Sequence, residues 1–197
     1  MDNFNIFMLN LKYFKKVREE LLSYAEKRRT LIKASGDAQH LAKKCIFALQ
    51  RDETKEAKEC LDKSLSILDS LVKKYHGEEG IFDEGAFRAA LEEYVEARLF
   101  TSFIQGKELG QIDELPVDSD MFISGLCDVP GEIVRYAIKS ATERKFEIVK
   151  HCYEVSEAII NELIDMDLTG YHRQKFDQAK HALNKLQQIV YEVSLKA

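Results

Sequence analysis

The sequence predicts an all-α protein, an antiparallel bundle of about six to seven long helices. Two observations carry this. Apolar residues recur at three- and four-residue steps almost throughout, the period of an amphipathic helix. Only two prolines and nine glycines interrupt 197 residues, so long helices have few breakers. No segment alternates as a strand does, and no internal repeat is visible. The length suits one domain over residues 1–197, with enough chain to bury a core.

The elements follow in order. Leu11, Phe14, Val17, Leu21, Ala25, Ile32, Ala42, Cys45, Ile46 and Leu49 place one helix over about residues 10–50. Gly36 lies inside it at a cost of about 1 kcal/mol relative to alanine, and the periodicity continues past it. Cys60, Leu61, Leu65, Leu68, Leu71, Val72 and Tyr75 mark a second helix over about 53–76, ended by His76-Gly77. A third runs over about 83–105 and stops at Gly106, and residues 107–116 form a connector with room for one helical turn. A fourth starts near Asp118 and reaches about Thr142. Ile148 to Met166 carries a fifth, Thr169-Gly170 a turn, and Phe176 to Val193 a sixth. Long helices joined by short loops pack as an antiparallel bundle, and apolar stripes left over on such bundles favour oligomers.

Composition limits the function. Lysine and arginine number 29 against 34 acidic side chains, a net charge of −5, which excludes a surface that is a generic basic clamp. Cys45, Cys60, Cys127 and Cys152 are scattered with no CxxC pair, which fits reduced, buried thiols rather than disulfides or a thiolate zinc site. The opening MDNFNIFMLNLKYFKK is broken by Asp2, Asn3, Asn5 and Asn10 and lacks a charged leader region and a cleavage site. No stretch approaches the roughly 18 apolar residues of a membrane span. The expectation is a soluble, cytoplasmic protein without a membrane partner.

The chemistry lies in the acids. Pairs spaced i, i+3 arise cheaply here, as Glu53/Glu56, Glu56/Glu59 and Glu154/Glu157 show. Glu93 and Glu96 in LEEYVEARLF differ in setting. At roughly 100° per residue they share a helix face with Ala89, Phe100, Phe103 and Ile104. Carboxylates on an apolar stripe are partly buried, which is costly without a cation or donor. Asp128 and Glu132 in LCDVPGEIVRYAI share a face at i, i+4 beside Ser124 and Gly125, and Pro130 between them tends to kink the helix. Four carboxylates without histidine or thiolate suit hard cations such as Mg²⁺ or Mn²⁺. The chemistry natural to that set is phosphoryl transfer with metal-activated water. The same spacing admits a structural reading: Glu93 and Glu96 solvated or paired with Arg98 or another base, Glu132 paired with Arg135, and Pro130 a tolerated kink.

Other signals are weaker. Glu147 and His151 share a helix face with no HExxH motif, and no Gly-rich phosphate loop or GxSxG elbow occurs. The first helix carries a basic stripe of Lys12, Lys15, Lys16, Arg18, Lys27, Arg28, Arg29 and Lys33, followed by Lys43 and Lys44. Such a run is ordinarily a solvated face. With Tyr13 and Tyr24 interleaved, it also suits the backbone of a single nucleic-acid strand.

The segment Glu93–Ile104, EYVEARLFTSFI, resembles the EYVEA-xx-F block of translin-associated factor X (Trax), and Leu126–Ile138 resembles the D-x-x-G-E-x-x-R motif of the same family. The run Ala182–Leu195 is similar to the last helix of translin and Trax, and Arg29–Gln50 to the Trax pattern of a basic turn, Ser-x-Asp and an apolar block. The resemblance covers most of the chain and implies a translin-like helical fold assembled into a hollow octamer that binds single-stranded RNA or DNA. In the Trax branch two glutamates and an Asp/Glu pair form a metal-dependent endoribonuclease site. The resemblance carries this to Glu93, Glu96, Asp128 and Glu132 as catalytic metal ligands for Mg²⁺ or Mn²⁺; one of the four acts as base toward the attacking water, with Glu132 the candidate. The basic stripe of the first helix makes Arg28, Arg29 and Lys33 the expected phosphate contacts, with Arg135 a further nucleic-acid contact or a partner of the acidic set. The compact length resembles single-gene archaeal members, which implies a homo-octamer. The chain departs from translin at Phe82, Asp83 and Glu84, where translin has a basic, histidine-rich cluster. Two other readings stay open. One is a translin-like shell that holds RNA or DNA without cutting it. The other is an all-α nucleotide pyrophosphohydrolase, although that class favours ExxE followed by ExxD rather than DxxxE.

Overall fold

A computed structural model describes residues 9–78 and 80–195. Half of the opening stretch weighed above as a leader, residues 1–8, lies outside them. Six helices are observed: α1 (Leu11–Gln50), α2 (Thr54–Lys74), α3 (Gly85–Ile104), α4 (Ser119–Thr142), α5 (Phe146–Ile164) and α6 (Gly170–Ser194). The described residues contain no strand, and none of their helices is long and apolar enough to cross a membrane.

α1 is continuous through Gly36, and the Asn10 side chain caps it by accepting from the Tyr13 N–H at 3.1 Å. α4 is capped in the same way by Asp118, which accepts from Met121 at 2.8 Å, and runs unbroken through Pro130. One element was not expected. A single 3-10 turn, Ile81–Asp83, precedes α3, and Gly80 enters it at φ +74°, so the second helix stops at Lys74 and the third begins at Gly85. The connector 107–116 holds no helical turn, but Ile112 and Leu115 anchor it to the core.

Two layers result. α1, α2 and α3 pack together, and α4, α5 and α6 pack together. Small buried residues on α1 (Ser35, Ala38, Ala42, Ala48) let α2 approach, and Ser64 donates across to the Ala38 carbonyl at 2.9 Å. The layers meet where α3 lies on α4. α3 is therefore enclosed: from Tyr94 to Phe103 every residue except Arg98 is buried. By contrast α1 buries nothing before Leu31, leaving Leu11, Tyr13, Phe14, Leu21 and Leu22 exposed on its N-terminal half.

The α3–α4 seam is closest at Gly125. A Cβ placed there would stand 2.6 Å from Val95 Cγ1 and 2.9 Å from the Glu92 carbonyl oxygen. Both neighbours belong to the buried helix, so neither can swing away. Gly125→Ala is expected to destabilise the fold by about 1–3 kcal/mol, the usual cost of overpacking, read as a lower denaturation midpoint with an unchanged slope.

Candidate functional site

The seam that Gly125 brings together carries five carboxylates. Glu92, Glu93 and Glu96 project from α3, and Asp128 and Glu132 from α4. α1 contributes Lys43 and Gln50 from its C-terminal half, and α6 contributes Lys175 and Gln178. Two small adjoining clefts open here. One, of about 210 Å³, is lined by Glu96, Cys127, Asp128, Gly131, Glu132 and Gln178. The other, of about 280 Å³, is bounded by Lys43, Phe47, Glu93, Glu96, Glu132 and Arg135. Glu96 and Glu132 border both.

Most of these acids have a partner. Lys43 Nζ lies 3.2 Å from Glu93 Oε2, and Arg135 Nη1 lies 3.0 Å from Glu132 Oε1. Gln50 donates to the Glu132 side chain at 3.1 Å and to its carbonyl at 3.0 Å, and is itself held by Lys139, which donates to the Gln50 carbonyl. Lys175 Nζ lies 2.8 Å from Glu92 Oε1 and also donates to Asp128 Oδ2. The Tyr171 hydroxyl donates to Glu92 at 3.0 Å.

Glu96 is the exception. It is 8% exposed, and no hydrogen bond or ion pair reaches it among the described residues. Burial, followed by the charges of Asp128, Glu93 and Glu132, pushes its carboxyl up to about 9, so it is held neutral at pH 7. Burial also raises Glu93 and Asp128 above the usual carboxylate range, against the opposing pull of Lys43 and Lys175 respectively. As the side chains stand, no three His, Cys, Asp or Glu among the described residues converge closely enough to hold a metal ion. The donor set nevertheless fits a hard divalent cation: it is all oxygen, spans two helices, and contains a buried acid with no counter-charge of its own.

The structure thus brings Glu93, Glu96, Asp128, Glu132 and Arg135 together. It does not bring Arg28, Arg29 or Lys33 to them, since Lys33 is about 15 Å up α1 from Lys43 at 1.5 Å per residue. Arg28 pairs with Glu84 at 2.5 Å and Lys27 with Glu78 at 2.6 Å, so acids of the α2–α3 connection neutralise part of the basic stripe. Arg29 and Lys33 are exposed. Arg98, a candidate partner for Glu93 and Glu96, binds Glu114 at 2.9 Å instead. His151 stacks on Phe103 with ring centroids 5.7 Å apart, a packing role. The sequence reading missed Glu92, Gln50, Gln178 and Lys175. Glu92 was visible as the i, i+4 neighbour of Glu96, whereas Lys175 is one lysine in a lysine-rich helix and nothing local distinguishes it.

The raised carboxyl of Glu96 has a consequence for pH. Between the unfolded value near 4.5 and the folded value near 9, the folded protein binds a proton that the unfolded chain has lost. Stability therefore falls as pH rises through that window, by up to about 1.4 kcal/mol per unit from this group. Denaturant titrations of metal-free protein from pH 5 to 9 are expected to show this decline, and Glu96→Gln is expected to flatten it.

The sequence and fold both have known counterparts. Residues 26–197 match the Translin family. No curated protein matches the chain. Among solved structures, AfC3PO shares 25% identity at a TM-score of 0.86, covering 93% of this chain and 98% of that one. The AfC3PO–duplex RNA complex gives 25% identity and 0.81, covering 95% and 98%. Apo-NeC3PO gives 22% and 0.84, covering 94% and 98%. With the family matched from the basic stripe to the C-terminus, and the same helical fold in these structures, the chain belongs to the Translin family.

Proposed function

We propose that this chain is a Trax-like, metal-dependent endoribonuclease that cleaves single-stranded RNA inside a homo-octameric shell in the cytoplasm. The observation that carries the reading is Glu96: a buried acid that no hydrogen bond or ion pair reaches among the described residues, beside Glu93 on α3 and facing Asp128 and Glu132 on α4. An acid in that position is costly unless a ligand uses it. Glu93, Glu96, Asp128 and Glu132 would hold Mg²⁺ or Mn²⁺, which supplies a Lewis acid and a more acidic water when bound. Glu132, fixed by Gln50 and Arg135, is the acid poised to take a proton from water. Lys43 and Arg135 flank the cleft mouth with half-exposed side chains and suit a phosphodiester backbone.

Nucleic-acid binding by the chain is supported by AfC3PO, whose structure with duplex RNA has the same fold. Oligomeric assembly is supported by the unburied N-terminal half of α1, which presents apolar and basic side chains together. Arg28, Arg29 and Lys33 on that helix would extend the contact to the nucleic acid. A second reading, a non-catalytic shell for RNA or DNA, is favoured by the ion pairs that already neutralise Glu92, Glu93, Asp128 and Glu132.

Labelled single-stranded RNA incubated with the protein and Mn²⁺ separates the two. Cleavage that stops with EDTA is expected, and Glu132→Ala is expected to lower its rate at least a hundredfold while RNA retention and the mass of the assembly are unchanged. RNA that is bound but never cut, with Mn²⁺ supplied, establishes the second reading.

A further inference from the structure

Lys175 is the cation the proposed chemistry does not use. Its side chain is 9% exposed, whereas Lys43 and Arg135 at the cleft mouth are 50% and 59% exposed. It enters the seam from α6 and contacts one carboxylate on each facing helix, Glu92 on α3 at 2.8 Å and Asp128 on α4. Tyr171, one turn earlier on α6, donates to Glu92 and sets its ring 5.4 Å from the same ammonium. Burial alone would lower the lysine, but the hydrogen bonds it donates to Asp128 and Glu92 outweigh that and raise it, so it stays charged.

A lysine is not needed to join three helices; apolar residues of similar volume usually do so at equal or better stability. What an apolar residue cannot do is balance charge. Among the described residues, Glu92, Glu93, Asp128 and Glu132 face Lys43, Arg135 and Lys175, four carboxylates against three cations before Glu96 is counted. Asp128 Oδ2 already accepts from the Lys175 ammonium, so another cation reaching Asp128 must take Oδ1 beside that fixed positive charge, share Oδ2 or displace the ammonium.

We propose that Lys175 is a positioning residue that stands in for part of the charge of a divalent cation, holding Asp128 to Glu92 in the metal-free protein and competing with Mg²⁺ or Mn²⁺ for Asp128. The proposal rests on the metal reading above and concerns its affinity rather than its existence. A fixed ammonium beside a cation site weakens cation binding, and a seam already cross-linked by Lys175 stays folded when the metal leaves. The metal is then exchangeable rather than structural.

The test is Mn²⁺ binding, by electron paramagnetic resonance and calorimetry, on the parent and on Lys175→Met, Lys175→Gln and Lys175→Arg, with thermal melts in EDTA and in Mn²⁺. Loss of the charge in the Met and Gln variants is expected to tighten Mn²⁺ binding at least tenfold, lower the metal-free Tm, and enlarge the rise in Tm that Mn²⁺ produces. Lys175→Arg is expected to bind as the parent does. If Lys175→Met does not fold without metal, Lys175→Gln, whose amide still donates to Asp128, carries the measurement. Unchanged or weaker Mn²⁺ binding in the neutral variants overturns the proposal alone, as does failure of both to fold even in Mn²⁺. A parent that binds no Mn²⁺ at millimolar concentration, or binds it as well after Glu96→Gln, overturns the metal reading and this proposal with it.

Discussion

Where Gly125 lies against Val95 and the Glu92 carbonyl, α3 and α4 come closer than any side chain would permit, and the acidic seam depends on that contact. Asp128 follows Gly125 by three residues and Glu96 follows Val95 by one, so the helix spacing at the glycine sets the spacing of the acids beside it. The same approach encloses α3, and enclosure is what removes water from Glu96. A looser seam would hydrate these carboxylates and return them to ordinary behaviour. Packing and electrostatics are therefore one constraint here.

Charge in the seam is graded by depth. At the rim, Arg135 and Lys43 are half-exposed cations on Glu132 and Glu93, where solvent screening keeps such pairs weak and easily exchanged. Deeper in, Lys175 is locked between two helices. As buried as Lys175, but bordering both clefts, is Glu96, with no counter-charge among the described residues. A ligand entering by either cleft thus meets exchangeable partners at the rim and the unpaired Glu96 in the wall. Gln50 adds rigidity without charge, since its amide fixes Glu132 while Lys139 and Asp52 fix the loop behind it.

The helices were legible because their apolar period is unambiguous, and α1 survives Gly36 because its neighbours Ser35 and Ala38 are buried against the bundle. The 3-10 turn at Ile81–Asp83 was not, because it depends on Gly80 adopting a left-handed backbone that no periodicity encodes. In the site, Glu93, Glu96, Asp128 and Glu132 announced themselves by spacing on apolar faces. Their partners did not. Lys175 lies 47 residues from Asp128 and Gln50 lies 82 from Glu132, and separations of that size are created only by tertiary packing. Arg28 shows the same limit: its place in a basic run pointed to nucleic acid, and only the fold reveals Glu84, 56 residues away, as its partner within the chain.

The four cysteines divide evenly between the layers, Cys45 and Cys60 in the first, Cys127 and Cys152 in the second, and all are buried and unpaired. Burial pushes the thiols of Cys127 and Cys152 up to about 12 and that of Cys45 up to about 11, so they carry almost no thiolate at neutral pH. In the closed fold they are chemically silent. Cys127 lines the smaller cleft, whereas Cys45, Cys60 and Cys152 are reached when their own layers part, so the order in which these three take up an alkylating reagent records which half of the bundle breathes first.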